Sequence, residues 1–274
     1  MNAFVAKHVE QDSVPAIRDL FQSYEVNKVE MSEIKRWLSK GYTDLKTNPL
    51  ISATYGLAFA VLGFVLSMIA DANPVFVGST TTGFLLAGPF LALGLYFVSS
   101  KIDKGEQVSL SRSLGAISEN MRCIGIYAIT LGFVMSVWVR ISTLVASLSV
   151  NDVTLTGAGN IALFKSLLTM DQGFPLILGL FGVGLIFATI AFITGVVTLP
   201  MLMNNKVDIV TAVSTSIRVV KKNPSVMAVW AITIAVIIGV GIATNFIGLI
   251  VLMPLISFAS WHAYRDLVGN QIKR

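Results

Sequence analysis

Asp208-Ile-Val-Thr-Ala-Val-Ser-Thr-Ser-Ile-Arg-Val-Val-Lys-Lys-Asn-Pro224 reads as a short basic amphipathic helix that turns straight into a hydrophobic span. Val213, Ile217 and Val220 fall ten, six and three places before Asn223, which puts all three on one helical face. Thr211, Ser214, Arg218 and Lys222 fill the other faces. A surface strut leading into an apolar run is the unit around which the remaining chain can be organised.

The composition says what surrounds such a unit. Of 274 residues, 54% are hydrophobic and 13% charged, and the mean hydropathy is +0.76, which is too apolar for one soluble domain. The chain reads as a polytopic membrane protein. Its pI near 9.4 and net charge of +5 are spread around apolar spans, so they report orientation and attraction to anionic headgroups rather than nucleic-acid binding. The single Cys123 cannot make an internal disulfide, and the first ten residues lack the apolar core of a signal peptide. Insertion is therefore expected to be driven by internal spans.

Taken in order, residues 1–31 read as a cytoplasmic N-terminal tail, and a helix from Ser32 ends at Asn48-Pro49. Apolar runs follow at about Leu50 to Ala70, Thr82 to Ser99, Met121 to Ser147 and Phe174 to Met203. The first is about 21 residues, roughly 30 Å as a helix and enough to cross a hydrocarbon core. Ser225 to Ser260 accommodates two shorter spans joined near Thr244-Asn245-Phe246, with a re-entrant hairpin as the alternative. A short helix is expected from Ile161 to Leu168 in the loop 150–173. Lys and Arg gather on one side: Lys7, Arg18, Lys28, Lys35, Arg36, Lys40 and Lys46, then Lys101, Lys104, Arg112 and Arg122, then Lys206, Arg218, Lys221 and Lys222, then Arg265, Lys273 and Arg274. That asymmetry predicts six spans with both termini in the cytoplasm.

Aligning Asn48, Asn120 and Asn223 extends the pattern. Ten, six and three places upstream lie Leu38, Tyr42 and Leu45, then Leu110, Leu114 and Ile117, then Val213, Ile217 and Val220. Seven places downstream stand Tyr55, Tyr127 and Trp230, and eight downstream Gly56, Ala128 and Ala231; each unit has a returning-span proline at Pro89, Pro200 or Pro254. The predicted fold is all-α: a polytopic membrane protein with six transmembrane helices as three parallel two-helix repeats, each preceded by a cytoplasmic amphipathic helix. The membrane domain covers 32–265, with repeats at about 32–106, 107–205 and 206–265, and 266–274 forms a cytoplasmic C-terminal tail. Each asparagine is expected to cap the helix after it, with Pro49 and Pro224 in the first turn.

Chemistry-bearing residues are sparse. No Asp or Glu lies in the core of any span, and Asp71, Asp44 and Glu119 stand at the edges. Arg140 is the charged residue within an apolar run, about twenty residues in, where its long side chain is expected to snorkel to the far interface. Two histidines, His8 and His262, and one cysteine do not make an ordinary zinc or haem site, and no phosphate loop, nucleophile elbow or H-E-x-x-H pattern occurs. Neither a metal nor a cofactor is expected, and an enzyme would need a cluster around Asp44, Glu119 or His262. The candidate lipid or partner contacts are Arg140, the terminal anchors Trp261, His262, Tyr264 and Arg265, and the strut cations Arg218, Lys221 and Lys222.

Three stretches carry a resemblance: Trp37-Leu38-x-x-Gly41-x-x-Asp44-Leu45-x-x-x-Pro49-x-x-Ser52-x-x-Tyr55-Gly56; Gly83-Phe84-x-Leu86-x-Gly88-Pro89-Phe90-x-x-x-Gly94-Leu95-Tyr96-x-x-Ser99 with Gly105-Glu106 beyond; and Trp261-His262-x-Tyr264-Arg265. Together they resemble a family of uncharacterised bacterial integral membrane proteins, the domain-of-unknown-function family 2189. Where such proteins place two basic residues after Ser99, this chain has Ser100 and Lys101. The resemblance implies an inner-membrane location and supplies no catalytic residues. Mitochondrial-type carriers also use three two-span repeats, but Leu91, Leu202 and Ile256 stand at their acidic gating position. The leading expectation is a non-enzymatic accessory or scaffolding subunit of a membrane complex, such as a respiratory one, in contact with anionic lipid and with another membrane protein. The alternative is a channel or carrier for a neutral or amphipathic molecule such as a lipid or quinone, which a side-chain-filled centre would count against.

Overall fold

The computed structural model describes residues 23–72, 77–115, 120–149 and 173–272; the expected helix Ile161 to Leu168, Glu119 and most of the tail lie outside them. The first strut is α1 (Ser32–Thr47), leading into α2 (Pro49–Ala72), which α3 (Val77–Ile102) follows. A one-turn α4 (Leu110–Leu114), capped by Ser109 accepting from the Arg112 amide, precedes α5 (Met121–Ser149). Next come α6 (Gly173–Gly195), a break at Val196 and Val197, and α7 (Thr198–Asn204) with Pro200 in its first turn. The opening stretch is α8 (Ile209–Lys222), with Asp208 capping the Thr211 amide, and it turns at Asn223 into α9 (Pro224–Ala243). The last helix is α10 (Leu249–Leu267). Strands β1 (Ser23–Val26) and β2 (Val268–Ile272) pair antiparallel and bring the described ends of the chain together.

Among the described residues five stretches are long and apolar enough to cross a membrane: Pro49–Ala70, Gly83–Ile102, Met121–Val145, Gly173–Asn204 and Pro224–Ala243. The region 225–260 is a helical hairpin, with its turn at 244–248 and left-handed φ angles at Asn245 and Phe246. Asparagine tolerates that backbone and a bulky residue does so only under constraint. The constraint is packing: the Phe246 ring lies edge-on to Phe84 and fills the space that Gly63 leaves open.

The final helix is the hub, packing on α1, α2, α3 and α9. Bilayer tails are as apolar as leucine, so helices in lipid associate through close approach rather than hydrophobic burial. Glycine permits that approach here. A Cβ at Gly41 would lie 2.8 Å from Leu255 O and Ala259 N, and one at Gly56 would lie 1.9 Å from Ile250 O, so α1 and α2 both run against the α10 backbone.

Two local expectations are corrected. The protein-facing stripe of α1 is Ile34, Trp37, Gly41 and Asp44, whereas Tyr42 of the expected face is 50% exposed. On α8 the buried residues are Thr211, Ala212, Thr215, Ser216 and Val219, and Val213, Ile217 and Val220 are only half-buried. A strut at a membrane surface has apolar surroundings on two sides, so its most apolar stripe need not face protein. The asparagines also differ from expectation, because Asn223 makes no side-chain cap. Its Oδ1 accepts from the Val29 amide and its Nδ2 donates to Asn27 O, each at 2.9 Å, while Asn120 Nδ2 donates to Leu202 O and Val207 O. Each of these two amides joins distant segments: Asn223 uses both its acceptor and its donor, and Asn120 donates twice.

Candidate functional site

At the strut end of the bundle, α1, α3 and α10 meet on a buried carboxylate. Asp44 is 4% exposed and His262 5%; His262 Nε2 lies 2.9 Å from Asp44 Oδ2, and Ser99 Oγ donates to the same oxygen. An ionised carboxylate only accepts, so Nε2 carries the proton in this pair. Two further aspartates close the same end: Trp261 Nε1 donates to Asp103 at 2.9 Å, and Trp37 Nε1 and Arg36 both donate to Asp266 at 2.8 Å. Asp44 stands between Ser99 and His262, so the imidazole is not placed to take a proton from the serine, and the trio lacks the order of a nucleophile and its base. Its chemistry is that of a polar lock between helices. Of the cluster an enzyme would need, Asp44 and His262 are joined, and Glu119 lies outside the described residues.

Other sequence-selected residues divide into buried and exposed groups. Trp261, His262 and Tyr264 are turned into the protein, and the Tyr264 hydroxyl accepts from Asn204 and Asn205 at 3.1 and 2.8 Å. Burial pushes the Tyr264 phenol above its ordinary pKa, so it stays protonated. Arg218 donates to Tyr24 O and Lys222 to Val26 O, which clamps β1 onto α8; burial lowers the Arg218 pKa from its ordinary value. Lys221, Arg265 and Arg140 are exposed. The structure thus joins His262 to Asp44 and gathers Arg218, Lys221 and Lys222 beside β1, while Arg140 stands apart on the long α5.

One turn from the lock lies a cavity of about 330 Å³ walled by α3, α5, α6, α9 and α10, with Val196 from the α6–α7 break and Leu199 from α7. Its walls are apolar, including Phe84, Leu131, Met135, Phe192, Ile234 and Ile238, and among the described residues no charged side chain lines it. Gly88, beside Pro89, contributes open space: a Cβ there would meet nothing within 4 Å. Polar atoms collect at the strut end. Tyr96, Tyr127, Ser257 and Ser260 line it there. Tyr96 is three residues before Ser99 on α3, and Ser260 two before His262 on α10, so the lock and the cavity floor share the same two helices. The α5–α6 pair and the α9–α10 hairpin stand on either side of α3, which packs on α5 and α10. Among the described residues α6 and α9 form no packed interface with each other.

Comparison with protein families finds one model over the helices that form the back wall and one flank of this cavity, α3 to α7: residues 76–204 match a family described as a predicted integral membrane protein. The family so matched is DUF2189. The DUF2189 match contains Gly88, Pro89, Tyr96, Ser99, Tyr127 and Thr194, and it ends before α8. Asp44 and His262 therefore reach the DUF2189 region from outside, one from each flank, through Ser99. No curated protein and no solved structure matches the chain.

Sequence reasoning had flagged Asp44 and His262 but missed the cavity. Tyr127 and Trp230 were visible as aromatics at a repeated position, and both line it. What hydropathy could not show was which helix pairs leave space between them.

Proposed function

We propose that the protein binds a neutral, amphipathic small molecule within the bilayer and acts as its carrier. The observation that carries this reading is the uncharged cavity between the helix pairs, whose volume falls at the lower end of the ~300–1,000 Å³ common for small-molecule sites. A filled centre would have favoured the scaffold expectation. At the strut end α7 packs on α3, α8 and α10 and lends Leu199 to the lining, so the cavity is floored by side chains, which favours a carrier over a channel. The reading is non-enzymatic and calls on no cofactor.

Its setting is a bacterial inner membrane, with both ends of the chain and the basic struts in the cytoplasm beside anionic headgroups. Six crossings in three repeats fit the same picture. Tyr55, Tyr127 and Trp230 are all buried, and seven places before each asparagine stands a small buried residue, Gly41, Ser113 or Ser216, that touches a neighbouring element. The accessory-subunit reading draws on the bare outer surface of α6, with Phe174, Leu178, Phe181 and Leu185 exposed; lipid alone would cover that surface equally well.

The test is photolabelling in nanodiscs with a long-chain alcohol bearing a diazirine at its tail. Labelled peptides from α3, α5 or α9, lost on Gly88→Leu without a lower melting temperature, support the reading; labelling indifferent to Gly88→Leu removes it.

A further inference from the structure

Three cations share one face of α8. Arg218, Lys221 and Lys222 stand at i, i+3 and i+4, and with Tyr24, Glu25 and Val26 of β1 they line an open cleft of about 470 Å³. Like charges at that spacing repel one another, so the fold keeps them together against a small penalty. What holds them is neutral. Arg218 donates to Tyr24 O at 3.1 Å and to Thr215 Oγ1 at 3.0 Å, and Lys222 donates to Val26 O at 2.7 Å. Two other cations at the strut end are held by carboxylates, Arg36 by Glu33 and Asp266 and Lys101 by Glu106. Among the described residues no carboxylate forms an ion pair with Arg218, Lys221 or Lys222. Donors also remain. A guanidinium has five N–H groups and an ammonium three, so Arg218 keeps three after its two bonds and Lys222 keeps two after its one.

The cleft sets three cations against the single carboxylate of Glu25, an excess of two positive charges. A phosphate monoester carries about −1.5 to −2 at neutral pH and offers three acceptor oxygens, which matches both the charge and the donors. A carboxylate matches neither, having one charge and two oxygens. Position supplies the source. Lys221 and Lys222 end α8, and Asn223 alone separates them from Pro224, where a helix long and apolar enough to cross a membrane begins. The cleft therefore lies at the boundary between water and hydrocarbon, the level of lipid phosphates. We propose that it is a phosphate site for a monoester lipid headgroup, held by Arg218, Lys221 and Lys222. Because β1 already fixes Arg218 and Lys222, those two side chains have little freedom left to lose when the anion arrives. Glu25 opposes the anion, which weakens the hold on singly charged headgroups most. The site shares no residue with the apolar cavity, so either can fail without the other.

The experiment titrates dioctanoyl phosphatidic acid into the detergent-solubilised full chain and reads bound lipid by native mass spectrometry. Dioctanoyl phosphatidylcholine and inorganic phosphate are the other arms. Lys221→Gln leaves both backbone clamps in place and is expected to weaken phosphatidic acid about fivefold, the worth of about one cation at a membrane surface. Glu25→Gln is expected to tighten it by a similar factor, a gain that a damaged fold does not give. Lys35→Gln, which removes an exposed cation of α1, is expected to change nothing. A Lys221→Gln variant that binds like wild type overturns the site, and an equal loss in Lys35→Gln replaces it with diffuse surface charge. Phosphatidylcholine binding as tightly as phosphatidic acid overturns the monoester assignment. Displacement by inorganic phosphate at equal concentration overturns the lipid source.

Discussion

His262 Nε2 lies 2.9 Å from Asp44 Oδ2, and the two residues are 218 positions apart in the chain. That contact, completed by Ser99, binds the first strut to the last helix across the DUF2189 region. Asp44→Asn still offers one oxygen to the two donors that share Oδ2 but removes the carboxylate charge that strengthens both bonds. It is expected to cost about 1–3 kcal/mol, the range for buried hydrogen bonds to a charged group. A lowered midpoint in thermal unfolding of the detergent-solubilised protein is the check, with Asp103→Asn, which removes the carboxylate accepting from Trp261, as a comparison at the same end of the bundle.

Glycine substitutions separate packing from empty space. Gly56→Ala drives a methyl into Ile250 O, which is backbone and cannot rotate away, whereas Gly88→Ala meets nothing within 4 Å. The first is expected to destabilise by at least about 1–3 kcal/mol. The second is expected to be neutral or slightly stabilising, since alanine is the better helix former by about 1 kcal/mol. Melting temperatures measured in one detergent decide the contrast.

Asn223→Ala removes an acceptor from the Val29 amide and a donor from Asn27 O. Hydrogen exchange at residues 24–29 is expected to quicken by roughly tenfold or more, equivalent to about 1.5 kcal/mol of lost protection. Exchange confined to its wild-type rate would show that β1 is held by its strand partner and the Arg218 and Lys222 clamps alone.

Topology is readable by cysteine labelling. In a Cys123→Ala background, Lys221→Cys and Arg265→Cys are expected to react with a membrane-impermeant maleimide only after the cytoplasmic face is exposed, and Arg140→Cys from the opposite face. Any pair reacting in the reverse order would overturn the proposed orientation.

The scaffold reading makes its own prediction. Affinity purification from membranes in mild detergent would recover a second integral membrane protein in fixed proportion. Recovery of this chain alone, with the cavity still labelled, would leave the carrier reading without that rival.

The spans were legible because a run of twenty apolar residues has few alternatives to crossing a bilayer. Strut positions were legible too, since Asn-Pro pairs and changes in hydropathy mark them. The strut faces were not. Counting apolar positions finds the stripe of Val213, Ile217 and Val220, but the contacts with protein are made by Ala212, Ser216 and Val219, where Ser216 Oγ reaches Ile193 O at 2.8 Å. In water the most apolar stripe and the buried stripe coincide; beside lipid they need not, and small residues decide where backbones meet. The candidate site was half legible. Asp44 and His262 drew notice as rare titratable groups, but their pairing and the gap between α6 and α9 are relations among helices far apart in sequence, which leave no periodic trace.

The two-stranded ribbon couples Val26 to Val268, and the Asn27 amide donates to Leu267 O. A ribosome extending the chain at about 5–20 residues per second takes on the order of ten to fifty seconds between making the two partners. Throughout that interval the early strand has no mate, and Asn223, Arg218 and Lys222 are themselves late products. Docking of the segment around Val26 is therefore a post-insertion event, and it reports that the last helix has arrived. A nascent chain halted before residue 267 would carry its earlier spans and leave this early segment still open to protease, giving a quality-control system a direct mark of unfinished assembly.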